Sequence, residues 1–115
     1  INYLKLVLSG AKDEAIYLVM LDSKNNLVSM EKVFAGTIDE APVYIRNIVE
    51  LSLKKNAKSL ILVHNHPSGD PEPSKTDREI TKKLKQALDL FEINLYDHII
   101  VGNRRYYSFA KEFSI

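Results

Sequence analysis

The chain has 115 residues, 45% of them hydrophobic and 27% charged, which fits one ordinary soluble domain with a single core. Sixteen basic residues against fifteen acidic leave a net charge of +1, so electrostatics gives no case for nucleic acid or for a membrane surface as partner. Cysteine is absent, which excludes disulfides and thiolate metal sites, and no apolar run is long enough to span a membrane.

These bounds predict a cytoplasmic protein without a membrane partner, its oligomeric state open to a homo-oligomer. The opening at Ile1, with no initiating Met, predicts an excised domain in which residues 1–115 form one unit.

In chain order, Leu4, Val7 and Leu8 share one face of a short helix that Gly10 could end. Ala15 to Leu21 is a continuous apolar run typical of a buried strand, preceded by Asp13-Glu14. Asp22 to Asn26 is a turn cluster, and Leu27 to Phe34 is the returning strand of a hairpin. Gly36 to Pro42 reads as a loop. A helix from Val43 to about Lys55 follows, with Ile45, Ile48, Val49 and Ser52 on one side and Asn56 as its stop.

Ser59 to His64 is the next strand. A helix from Lys75 to Phe91 then turns Ile80, Leu84, Ala87, Leu88 and Phe91 to the core. Leu95 to Val101 is a further strand, Gly102-Asn103 a tight turn, and Arg104 to Phe109 its partner. The order α-β-β-α-β-α-β-β predicts an α/β domain with a mixed sheet flanked by helices.

The chemistry concentrates at the junction after the third strand. His64 and His66, two apart on a strand end, project to the same side. The turn-rich run Pro67 to Pro71 can bring Asp77, in the first turn of the helix, back over both imidazoles. Two nitrogens and a carboxylate with a fourth position open form the ligand set of a catalytic zinc site, so His64, His66 and Asp77 are the candidate Zn²⁺ ligands. His-x-His followed after seven residues by Ser-x-x-Asp arises by chance in about one such chain in ten thousand. Against this stands the fact that Ser74-x-x-Asp77 is also close to a helix capping box, which competes for the same carboxylate.

The string His64-x-His66-x7-Ser74-x-x-Asp77 resembles the motif of the JAMM/MPN+ metalloprotease superfamily. His64 to Pro71, with Asp97-His98-Ile99-Ile100-Val101-Gly102 downstream, is similar to its RadC-like branch, over nearly the whole chain. The resemblance implies a cytidine-deaminase-like MPN fold, the C-terminal domain of a longer RadC-like protein, and zinc-dependent cleavage of a peptide or isopeptide bond. It implies that Ser74 stabilises an oxyanion, an effect typically worth about 3 kcal/mol. It also implies that a glutamate just upstream of an early strand moves the proton. Glu14 fits that description, with Glu31, Glu40 and Asp13 as alternatives.

His98 is open to three readings: a third nitrogen ligand in place of Asp77, a partner behind the ligands, or a packed core histidine. Asp70 is an acid near the site that can simply close its turn. Lys75, Lys82, Lys83 and Lys85 read as a solvated helix face. Two other functions stand beside the protease: a metal-dependent hydrolase of nucleic acid in DNA repair, reached through regions outside this chain, and a non-catalytic binding module. Against the former, a basic stripe and the cysteine pair of zinc deaminases are absent.

Overall fold

The hairpin read from Ala15 onward opens a computed structural model that describes residues 14–35, 41–112 and 115. Strands β1 (Ala15–Leu21) and β2 (Leu27–Ala35) pair antiparallel. Asp22 shapes the turn between them, its carboxylate accepting from the N–H of Lys24 at 2.8 Å and of Asn26 at 2.9 Å. Helix α1 (Ala41–Lys54) begins two residues earlier than the sequence predicts and gives way at Asn56, whose φ of 54° is the left-handed stop expected of an asparagine there. Strand β3 (Ser59–Asn65), helix α2 (Lys75–Asp89), strand β4 (Asn94–Val101) and strand β5 (Tyr106–Ser108) complete the order. The predicted helix around Leu4 to Gly10, and the candidates Asp13 and Glu40, lie outside the described residues.

The sheet runs β2-β1-β3-β4-β5, and only β3 and β4 are parallel, with α2 as the crossover that a parallel pair requires. The mixed α/β architecture is therefore as expected. Ile16, Leu18 and Met20 of β1, Leu60 and Leu62 of β3 and Leu95 of β4 join Ile48 of α1 and Ile80, Leu84 and Leu88 of α2 in one core. Both described helices thus cover the same face of the sheet. On the other face Val63, Ile99 and Val101 form a smaller cluster with Tyr17, Val19, Ile61 and Tyr106. Each fully buried leucine contributes about 1.5–3 kcal/mol, so the larger cluster carries most of the stability.

One register shift decides which side chains face α2. Leu60 pairs with Leu95 but Ile61 with Asp97, which leaves Tyr96 as an extra residue, 54% exposed. Because alternation restarts after it, Leu95, His98 and Ile100 all lie on the helix-covered side, although plain alternation would separate Leu95 from His98.

Two expectations are corrected. Phe91 does not reach the core but is 50% exposed, because α2 stops at Asp89 and the chain swings away at Glu92 (φ 56°), leaving Ile93 to fill the core position. The last hairpin does not turn on Gly102-Asn103 alone. Its connection spans 102–105, closed by the Gly102 N–H donating to Arg105 O at 2.8 Å, and β5 is only three residues long. The cause is the neighbouring loop: the Asn103 N–H donates to Gly69 O at 2.9 Å, and a Cβ on Gly102 would lie 2.4 Å from that same oxygen. Among the described residues no helix is long and apolar enough to cross a membrane.

Candidate metal centre

His64 is the penultimate residue of β3, paired to Ile16 of β1 and Ile100 of β4, and is completely buried. Its Nε2 lies 2.5 Å from Oε1 of Glu14, which sits just before β1. Its Nδ1 lies 3.4 Å from Oδ1 of Asp77 and has no hydrogen-bond partner. Burial pulls the His64 pKa down, against the attraction of Asp77 and Glu14, which favour its protonated form.

His66 follows the end of β3, where its own N–H donates to Val101 O at 3.0 Å. Its Nδ1 meets the backbone oxygen of Asp70 at 2.9 Å. A carbonyl can only accept, so Nδ1 carries the proton and, in the neutral ring, Nε2 presents its lone pair to the cluster. This Nε2 lies 3.1 Å from Oδ2 of Asp77, and that contact is the main cause of a raised His66 pKa.

The cap and ligand readings of Asp77 do not exclude each other, because the capped carboxylate also lies against both imidazoles. Ser74 caps α2 with its Oγ accepting the Asp77 N–H at 3.0 Å, while Oδ2 of Asp77 accepts the Ser74 N–H at 2.8 Å. The box holds the carboxylate against both imidazoles instead of diverting it. Burial alone would raise the Asp77 pKa, but the bonds from His66 and the Ser74 N–H outweigh it, holding the carboxyl well below its usual range.

Glu14, His64, His66 and Asp77 offer ligand atoms all within 4.8 Å of one another. A tetrahedral set with bonds of about 2.1 Å spaces its ligand atoms about 3.4 Å apart, so the spread of this group is of the size that three ligands and a neighbouring carboxylate around an ion would need. The buried His64 Nδ1 without a partner points the same way: with Nε2 donating to the Glu14 carboxylate, the neutral ring keeps its lone pair on Nδ1, which wants a donor or a cation. The chain thus carries a candidate metal-binding group that fits a hard or borderline cation; the donor set does not choose among them.

The remaining candidates fall elsewhere. Glu31 reaches Ser29 at 3.3 Å and Lys55 at 4.0 Å, not the histidines. The Asp70 carboxylate accepts the Glu72 N–H at 3.0 Å, closing its turn, while its backbone oxygen orients His66. His98 stands outside the four-residue cluster. Its Nδ1 lies 2.7 Å from Thr81 Oγ1, which itself donates to the Asp77 backbone oxygen at 2.7 Å. Its ring stacks on Phe109 at 4.8 Å and on His64 at 5.8 Å, and burial lowers its pKa to about 3. It is a neutral wall behind His64. Of the lysines, Lys75, Lys82 and Lys83 are exposed, and Lys85 pairs with Asp89 at 3.5 Å.

Sequence reasoning passed over Thr81 and Asn65. Thr81 lies four residues after Asp77 on the core face of α2, and a polar residue in that stripe was the available signal. Asn65, between the histidines, accepts the Ala15 N–H through Oδ1 at 2.6 Å.

A family model for the RadC-like JAB domain matches residues 1–114. A UPF0758 protein of Herminiimonas arsenicoxydans is 46% identical over 111 residues, covering 96% of this chain and 50% of that protein. One from Pseudoalteromonas translucida is 49% identical over 110 residues, covering 96% and 49%. One from Vibrio cholerae is 45% identical over 101 residues, covering 88% and 64%. The chain spans about half the length of most of these relatives.

Proposed function

The chain belongs to the RadC-like JAB domain family, and from that premise we propose that it is a zinc-dependent hydrolase of peptide or isopeptide bonds, acting as the C-terminal domain of a longer protein. The observation that carries this reading is the four-residue group within 4.8 Å, with one imidazole nitrogen buried and unpartnered. Two nitrogens and a carboxylate are the ligand set of catalytic zinc sites.

His64, His66 and Asp77 hold the ion. When bound, zinc supplies Lewis acidity toward a carbonyl and lowers the pKa of water to about 7. Glu14, 30% exposed and beside His64, is placed to take a proton from water and return it to the leaving amine. Ser74 uses an oxygen lone pair for the cap, so its hydroxyl proton stays available for a developing oxyanion. His66 retains a proton more readily than a free histidine does, so ion and proton compete for it and affinity falls as pH drops.

The test is metal content per chain, with both wild type and Asp77→Ala purified without added metal. About one zinc in wild type and a sharp loss in the variant support the centre. Full retention in Asp77→Ala, or a wild type that stays empty when zinc is supplied, leaves Ser74-x-x-Asp77 as a helix cap and favours the binding module. A loaded protein that cleaves nucleic acid and no peptide favours the repair hydrolase.

A further inference from the structure

Asn65 is 2% exposed, stands between two ligand candidates and takes no place in their cluster. The β1–β3 ladder runs from Leu21 opposite Ser59 to Ile16 opposite His64 and stops there. One residue further out, the Ala15 N–H is taken by the Asn65 side-chain oxygen at 2.6 Å. Ala15 is itself buried (4% exposed), so this N–H has no water to turn to and needs a protein acceptor. On its other edge Ala15 still pairs with Ala35 of β2, next to a register shift between Ile16 and Tyr17. The start of β1 is thereby held from both sides, and Glu14 departs from that point toward Nε2 of His64.

We propose, on the reading of this cluster as a hydrolytic metal centre, that Asn65 is the positioning residue for Glu14. The side-chain amide extends the ladder by one bond beyond the last paired residue, and this bond fixes where the Glu14 carboxylate stands. The residue type matches the task. A serine oxygen sits one bond nearer the backbone and falls short. An aspartate would accept the same N–H, but would bring another negative charge in beside Glu14 and Asp77.

The test uses the chain loaded with Co²⁺ and read by NMR. In Asn65→Ala the metal stoichiometry stays at the wild-type value, because His64, His66 and Asp77 are untouched. Exchange of the Ala15 amide proton speeds up about fivefold, as losing one hydrogen bond of roughly 1 kcal/mol implies. The paramagnetic shifts of the Glu14 side-chain protons collapse while those of the histidine rings remain. Asn65→Asp, which keeps an accepting oxygen, restores the Glu14 shifts. Should Asn65→Ala not fold, Asn65→Ser takes its place with the same expectation. Glu14 shifts that persist in these variants overturn the proposal and leave the centre standing. A wild type that takes up no Co²⁺ overturns both.

Discussion

The two ends of β3 are fastened by different chemistry. At its beginning the backbone does the work: the Lys58 N–H donates to Leu21 O at 2.8 Å and the Asn94 N–H to Lys58 O at 3.0 Å, tying three neighbouring strands together. At its far end side chains take over, with Asn65 on Ala15, His66 on the Asp70 oxygen and Asp77 on Ser74. A ladder that runs out leaves backbone groups to be satisfied locally, and the residues that satisfy them are drawn to one point. Two of them, His66 and Asp77, belong to the candidate centre, which Glu14 and His64 complete. His66 and Asp77 thus have a structural duty beside their place in the candidate centre, whereas the leucines at the other end have only a structural one.

That contrast can be broken by separating stability from metal uptake. The largest effect is expected in the leucine-packed part. Leu62→Ala opens a cavity in the main core and costs about 2–5 kcal/mol in denaturant melts, while the folded fraction still binds about one metal ion. Next comes Asp77→Asn, which keeps an oxygen for the Ser74 N–H but removes the charge. Metal affinity should drop at least about 100-fold by competition with a chromophoric chelator, with a loss in melting smaller than that of Leu62→Ala, since the charge that His66 and the Ser74 N–H favour is removed. Equal losses in both assays would erase the distinction between the two ends.

Acid sharpens the comparison, because the titrating histidines all lie toward the site. The folded value of His98, about 3 against an ordinary 6.5, makes its neutral ring a contribution that is complete above about pH 6.5 and lost as pH falls toward 3. His64 acts with the same sign, and Asp77 adds a loss below its ordinary 3.8. His66 acts oppositely, stabilising below 6.5 and losing that contribution as pH rises through its raised value. The metal-free chain should therefore weaken from pH 6.5 downward, by up to roughly 1.4 kcal/mol per unit for each buried histidine. His98→Phe should flatten that slope in melts run with chelator; an unchanged slope would falsify the assignment to His98. The smallest effect belongs to Ser74→Ala, at about 1 kcal/mol of helix-cap stability in thermal melts, with metal content retained.

Much of this was legible in the residues themselves. The apolar run Ala15 to Leu21 could only be a buried strand, and β1 has those bounds. The spacing of His64, His66, Ser74 and Asp77 predicted a convergence that the loop and α2 deliver. What escaped depends on backbone conformation, which periodicity does not encode. The Asp70 contribution comes from its carbonyl, which every residue has, so no side-chain pattern could announce it. Phe91 fits a helical stripe but falls after the helix has ended. Gly102 and Asn103 have good turn chemistry, and contact with Gly69 claims them for another purpose. The role of His98 turned on the extra residue at Tyr96, which shifts every later side chain to the other face.

The capping box between Ser74 and Asp77 also has a meaning in time. A carboxylate already tied to a backbone N–H is in place before any ion arrives, so capture needs no coil-to-helix step in α2. On the proposed function, loading would run at the pace at which the ion sheds its water and the proton leaves His66, and unloading would leave the helix standing. A metal centre of this kind would empty and refill without the chain passing through an unfolded intermediate that a protease could seize.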